Sequence, residues 1–250
     1  MRAIRVAICQ TVCLSGDRRG NLARIALAVA EAAQLRPNVV CLPEMAIYGW
    51  VNPEAHDRAH PIPGEDSQRL CELARKHEVF LCVGLAEKEG KHLYDTALLI
   101  DEAGRILLKH RKINLLSELM TPPYTPGQDV AISETRYGRI GMLICADTHD
   151  PALLAQMAEL KPDLVLVPYG YAAKEGAWPT HGQELERVVA NAARAVGAPV
   201  VGTNLVSQIT HGPWAGMTYA GHSVVADKNG RLVATGKDFD RNVQVVPVSV

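Results

Sequence analysis

PNVVCLPE, Pro37 to Glu44, and PDLVLVPY, Pro162 to Tyr169, are two versions of one segment. Both run from a proline through a short apolar stretch to a second proline, and both stop at a polar side chain. Short apolar runs of this kind are typical of strands covered on both faces, as strands are in a parallel sheet. The sequence around them repeats in the same order. Before the first run, Ile4, Val6 and Ile8 alternate as a strand does, and Asn21 is placed to cap a helix with Leu22, Ile25, Val29 and Ala32 on one face. After it come a helix carrying Leu70, Leu73, Ala74 and His77, the strand VFLCVGLA, and a hairpin turning at Glu102-Ala103-Gly104. In the second half, the strand GRIGMLIC leads into a helix opened by Asp150 and Pro151 and carrying Leu153, Leu154, Met157 and Leu160. PDLVLVPY then precedes a helix for which Thr180 and Gln183 are a capping-box pair, with Leu185, Val188, Val189, Ala192 and Val196 inward and Gly197 at its close. PVVGTNLV and a hairpin at Asn229-Gly230 complete the copy.

Each half therefore supplies parallel strand–helix–strand units and an antiparallel hairpin, hence a mixed sheet. Two such sheets packed face to face, with helices outside, give a four-layer αββα sandwich. This is an α/β fold with an internal pseudo-twofold repeat, read here as a single domain over residues 1–250. The competing architecture is one open sheet of the dinucleotide-binding kind. No GxGxxG opens a helix after a strand, and hairpins in both halves fit that topology poorly.

Hydrophobic residues make up 48% of the chain and charged residues 21%, and 26 basic against 27 acidic residues leave a net charge of -1. Neither nucleic acid nor an anionic membrane surface is an expected partner of such a chain, and the basic run Lys109-His110-Arg111-Lys112 is too short to change that. The N-terminus lacks the apolar stretch of a signal peptide, and no run reaches membrane-spanning length. None of the cysteines (Cys9, Cys13, Cys41, Cys71, Cys82 and Cys145) forms a CxxC pair, and four lie in apolar runs. They read as free thiols in a reducing, cytoplasmic compartment.

Ligand and catalytic groups of α/β sheets gather beyond the C-terminal ends of strands. That rule selects Glu44 after VVCL, Lys112 after RILLKHR, Cys145 after GMLI and Tyr169 after LVLVP. Cys145 ends a strand a few residues before the helix opened at Asp150, an arrangement that favours a thiolate. Glu44, fixed directly after Pro43, suits a general base if it is partly buried beside a thiol. Lys112, inside a cleft, suits the stabilisation of an oxyanion. Each has an ordinary alternative as a structural thiol, a solvated carboxylate or one member of a basic run. Asp147, His149 and Asp150 also offer a metal-site reading, although ligands so close in sequence need a tight loop and a first-row metal would want more imidazole. Taken together, a sulfur nucleophile, a proton-moving carboxylate and a cation make amide chemistry.

The segments LPEM around Glu44, HRKINL around Lys112, YTPG at Tyr124 to Gly127, GRIGMLICAD around Cys145, ERVVANAARAVGAPVVGTN and GHSVVADKNGRL follow the order found in the nitrilase superfamily of carbon–nitrogen hydrolases. The chain resembles that family over nearly its whole length. The resemblance implies the αββα sandwich, assembly into homodimers or larger homo-oligomers, and a Glu-Lys-Cys triad carried by Glu44, Lys112 and Cys145. It further implies that Glu44 takes the thiol proton and later activates water, that Cys145 forms a thioester, and that Lys112 with the backbone N–H of Ala146 holds the oxyanion. No metal or organic cofactor is implied.

Two departures from the family pattern stand out. Many members carry a second glutamate shortly before the TPG proline; Met120 occupies that position here, and the nearest carboxylate is Glu118. After the cysteine, CADTHDP replaces the commoner aromatic pattern, and Asp147 in place of a nitrilase glutamate points to the amidase or carbamoylase branch, with Asp147 itself a structural hydrogen-bonding residue. The expected activity is hydrolysis of a small linear amide or N-carbamoyl compound. The alternative is a catalytically weak small-molecule-binding protein of the same fold. Tyr169, which the repeat sets opposite Glu44, and Glu118 are the candidate substrate contacts, with Ala146 at the oxyanion. Tyr48, Trp50, Tyr124, Tyr171, Trp178, Trp214, Tyr219, His181 and His211 are further pocket candidates, about half of them expected in ordinary packing. No arginine is evidently placed to clamp a carboxylate, and Arg187 falls in a helix.

Overall fold

The computed structural model describes residues 2–116 and 119–250. Its elements in chain order are β1 (Ala3–Gln10), α1 (Arg18–Gln34), β2 (Val39–Cys41), α2 (Ala55–Arg58), α3 (Glu65–His77), β3 (Phe80–Glu89), β4 (His92–Ile100) and β5 (Ile106–Arg111). The second half adds β6 (Ile132–Thr135), β7 (Gly138–Met142), α4 (Pro151–Glu159), β8 (Leu164–Tyr169), β9 (Ala172–Ala173), α5 (Thr180–Val196) and β10 (Val200–Asn204). It ends with β11 (Val206–Gln208), β12 (Thr218–Ala220), β13 (Val224–Ala226), β14 (Leu232–Thr235) and β15 (Asn242–Ser249).

Two six-stranded sheets carry the repeat: β15-β1-β2-β3-β4-β5 and β6-β7-β8-β10-β13-β14. Read in these orders, both follow the same succession of pairings: antiparallel, parallel, parallel, antiparallel, antiparallel. β1 thus answers β7, β2 answers β8, β3 answers β10, and the β4–β5 hairpin answers β13–β14. The chain's last strand, β15, completes the first sheet in the place that β6 holds in the second. At the repeat's centre the two halves meet, because the Glu44 N–H donates to the Tyr169 carbonyl at 3.3 Å.

Strand alternation divides the core between two faces. Ile4, Val6 and Ile8 of β1 and Val39 and Cys41 of β2 pack against Met142, Leu164 and Leu166 of the other sheet, and the Cys82 and Met142 sulfurs lie 3.9 Å apart across the gap. The intervening residues Ala7, Cys9, Val40 and Leu42 face outward onto Ile25, Val29 and Ala32 of α1 and Leu70 and Ala74 of α3. On the far side α5 lays Leu185, Val189, Ala192 and Val196 on the second sheet. The layers are therefore α, β, β, α.

Two helix starts differ from the sequence reading. α1 begins three residues before Asn21 and is capped by Asp17, whose carboxylate accepts from the Gly20 N–H at 3.0 Å. Asn21 is instead buried inside the helix, where its amide donates to the Leu14 and Ile47 carbonyls and ties the β2 exit to α1. α5 opens at Thr180 after Pro179 with no side-chain cap. Asp150 does cap α4 through the Ala152 N–H, with Pro151 at its first position, and Gly197 closes α5 in the left-handed conformation at φ 72°.

Candidate active site

Three strand ends converge between the sheets. Pro43 ends pairing on β2, and its carbonyl accepts from Gly84 of β3 at 3.0 Å, while the Ala46 N–H returns to the Gly84 carbonyl at 3.0 Å. The Glu44 backbone is pressed onto Gly84 so closely that a Cβ there would sit 2.5 Å from Glu44 Cα, so only glycine fits. Glu44 is wholly buried. Its Oε1 accepts from Lys112 Nζ at 2.5 Å and its Oε2 from the Gly170 N–H at 2.5 Å.

Lys112 continues the β4–β5 ladder one residue past Arg111, its N–H donating to the Asp95 carbonyl at 2.8 Å. Alternation along β5 sorts its side chains. Lys109 and Arg111 go to one face, where the buried Glu87 binds both at 2.6 and 2.7 Å. His110 and Lys112 go to the other, toward Cys145. Lys112 Nζ lies 5.0 Å from the Trp50 ring centre and 3.5 Å from Asp95 Oδ2. Burial pulls the Lys112 pKa down, but attraction to Glu44, and then to Cys145 and Asp95, outweighs it and leaves the pKa above that of an ordinary lysine.

Cys145 follows β7 at the head of a short 3-10 turn that ends at His149. Its φ of 40° is a left-handed value that a side-chain-bearing residue adopts only when its surroundings impose it. Asp147 imposes it. One carboxylate oxygen accepts from the Ile113 and Asn114 N–H groups at 3.0 and 2.8 Å, and the other from the Ile144 N–H and His110 Nε2 at 3.0 and 2.9 Å. Asn114 Nδ2 adds a bond to the Ala146 carbonyl at 2.8 Å. A single buried carboxylate thus fastens the Lys112 segment to the Cys145 turn, and Asp147 is the hydrogen-bonding residue expected of it.

Burial lifts the Cys145 thiol well above its usual pKa and Glu44 lifts it further, while Lys112 and the Gly170 N–H act the other way. The balance is upward, opposite to the lowering that the nearby helix start suggests. The α4 N-terminus is already capped by Asp150 and separated from Cys145 by the turn. Asp95, wholly buried, is pushed far up by desolvation and then by Glu44. Neither of its carboxyl oxygens has a hydrogen-bond partner among the described residues. Sequence reasoning passed over Asp95, because its one signal is its β-ladder position opposite Lys112.

Cys145, Lys112 and Ala146 line a cavity of about 290 Å³, with Trp50, Tyr171 and Trp214 among its walls. A larger hollow of about 570 Å³, between the 227–233 turn and the C-terminal strand, holds no thiol or imidazole. Tyr169 does not reach the cavity. It is wholly buried, its hydroxyl bonded to Thr148 Oγ1 at 2.8 Å, and Thr148 in turn donates to the Cys145 carbonyl at 2.7 Å. It braces the Cys145 turn from behind, and the tyrosine at the surface is Tyr171, one pleat further along. His181 also lines the cavity, whereas His211 lies outside it. Tyr48 and Trp178 are core, and Tyr124 and Tyr219 are buried. Glu118 falls outside the described residues. The metal reading fails on geometry: Asp147 is spent on backbone and His110, Asp150 caps α4, and no group of three ligating side chains among the described residues is placed to hold an ion.

The sequence matches the carbon–nitrogen hydrolase family over residues 5–250. The chain belongs to this family. It is 30% identical to an omega-amidase of Mus musculus across 246 aligned residues, covering 93% of this chain and 84% of that protein. Among solved structures it superposes, at TM-score 0.84 and 22% identity over 98% of this chain and 89% of the other, on a mutant amidase from Nesterenkonia sp. AN1 showing covalent addition of the acetamide moiety of fluoroacetamide at the active site cysteine. A family protein of Xanthomonas campestris with an arsenic adduct in its active site matches at TM-score 0.86 and 19% identity, over the whole of this chain and 91% of that one. No helix among the described residues of this family member is long and apolar enough to cross a membrane.

Proposed function

We propose that the protein hydrolyses the C–N bond of a small linear amide or N-carbamoyl compound through a Cys145 thioester. The observation that carries this reading is the buried contact chain Glu44–Lys112 at 2.5 Å beside Cys145, opening on a single cavity. With the thiol pKa raised by burial, its proton leaves as sulfur attacks. Glu44, held by Lys112 on one oxygen and the Gly170 N–H on the other, receives it. Sulfur bonds to the carbonyl carbon, and the electron pair moves to oxygen, which Lys112 and the Ala146 N–H stabilise. Glu44 returns the proton to nitrogen, the C–N bond breaks and ammonia or an amine departs. Water then gives its proton to Glu44 and attacks the thioester, and the acid leaves as sulfur regains a proton.

Support for the amide rather than the nitrile branch comes from Asp147 and from the amidase names among relatives. We read Glu118 as the nearest replacement for the family's second glutamate, and the working enzyme as a cytoplasmic homodimer or larger homo-oligomer. Ammonia release from a panel of small amides and ureido compounds tests the proposal. Wild type should turn over at least one with no loss under chelators, and Cys145→Ala and Glu44→Gln should fall by about 10⁴-fold or more. Undiminished turnover in Cys145→Ala would refute it.

A further inference from the structure

Three near-parallel rings form part of the cavity wall. His181 lies flat on Tyr171 with centroids 4.1 Å apart and planes 8° from parallel, and His149 faces it from 6.3 Å at 19°. Trp50 and Trp214 meet edge-on at 4.7 Å, and both line the cavity, as do Leu116 and Ala172. Among the described lining residues the one fixed cation is Lys112, which is already bound to Glu44. Arg187 is paired with Glu184 on the α5 surface and does not line the cavity.

Resting on the amidase reading above, we propose that the acyl pocket selects uncharged substrates, small amides with an aliphatic or aromatic tail, and rejects amides whose tail ends in a carboxylate. A tail entering the pocket exchanges water for aromatic faces and aliphatic carbon. That exchange is favourable for apolar surface and costly for an ion with no partner. The imidazoles do not supply the missing charge. Burial lowers the pKa of both His149 and His181, and although Glu184 acts upward on each, the net shift for each is downward. Glu184 is also an anionic neighbour on that side of the wall. The volume equals about ten waters of liquid, which limits the substrate to a comparable number of non-hydrogen atoms.

The test compares isocaproamide with succinamate, a shape match in which two methyl groups replace the carboxylate oxygens. We expect kcat/KM to favour isocaproamide by about 100-fold or more. Leu116→Arg, at an exposed lining position outside the catalytic machinery, should narrow that ratio by about tenfold. Equal rates within about threefold, or a preference for succinamate, would overturn the inference and leave the amidase reading standing. If neither compound is turned over, the amidase reading is the one in question, and calorimetric binding of both to Cys145→Ala still decides the pocket's preference. Binding of isocaproamide about tenfold tighter supports it, and equal or weaker binding sinks it.

Discussion

Asp147→Asn is the substitution that most sharply probes how the site is held together. The wild-type carboxylate accepts four hydrogen bonds, two per oxygen, all from buried or half-buried donors. An amide offers one oxygen and one NH2. Its better orientation keeps the oxygen on the Ile113 and Asn114 N–H groups and turns the NH2 toward Ile144 and His110. His110 can adapt by exchanging tautomers and accepting at Nε2. Its proton then moves to Nδ1, a buried atom with no partner among the described residues. The Ile144 N–H meets another donor. Two buried donors are left unpaired at about 1–3 kcal/mol each, so a destabilisation of about 3 kcal/mol is expected. For a chain of this size that lowers Tm by roughly 6–12 °C. Ile144 precedes Cys145, and loss of its anchor frees the Cys145 turn, so kcat/KM should fall by about 100-fold even at temperatures where the variant is folded. Thermal unfolding by circular dichroism and amide turnover at 20 °C below the variant's Tm read the two effects separately. A Tm within about 2 °C of wild type, with unchanged kcat/KM, would refute the claim that this carboxylate sets the geometry.

Further predictions concern individual supports of the same site. Gly170→Ala places a Cβ 2.8 Å from Glu44 Oε2 and should cut kcat/KM by about 100-fold or more with little change in Tm; normal activity would mean that Glu44 does not need its Gly170 bond. Asp95→Asn, an isostere of a carboxyl whose pKa is pushed far up by burial and Glu44, should keep its kcat/KM–pH profile within about 0.3 pH units of wild type, and a larger move of the acid limb would show that Asp95 titrates with the site. The Glu87 carboxylate is buried, which raises its pKa, but bonds from Arg111, Lys109 and Thr96 outweigh this and hold it below the usual 4.5. Its contribution to stability is therefore present above pH 4.5 and lost as pH falls through the lower folded value, and Glu87→Gln should cost about 2 kcal/mol at pH 7 but much less near pH 3 in urea titrations. Alkylation of Cys145 by iodoacetamide should still be accelerating at pH 9, and a plateau near pH 7 would contradict the raised thiol pKa.

Much of this was visible in the sequence because the repeat constrains it. Two proline-bounded apolar runs identified the central parallel strands, and the strand-end rule pointed to Glu44, Lys112 and Cys145, which the fold brings to one place. What escaped is set by burial and by contacts distant in the chain. The Cys145 thiol looked acidic because a helix begins nearby, yet desolvation and Glu44 dominate, and neither can be read from the residues that flank it in the chain. Tyr169 matches Glu44 in the repeat, as the bond between their backbones attests, but Gly170 and the pleat hand the cavity surface to Tyr171. Asn21 has a cap residue's chemistry and spends it on the Leu14 and Ile47 carbonyls, one of them across the fold. Asp95 shows no motif; only its register against Lys112 makes it notable.

The most direct test of the thioester is to catch it. Wild-type protein mixed with a small amide that it turns over, quenched in acid within one turnover and digested, should yield a peptide containing Cys145 heavier by the acyl group, together with one ammonia released per active site before the acid appears. Ammonia and acid released together, with Cys145 unmodified at every quench time, would contradict covalent catalysis at this sulfur.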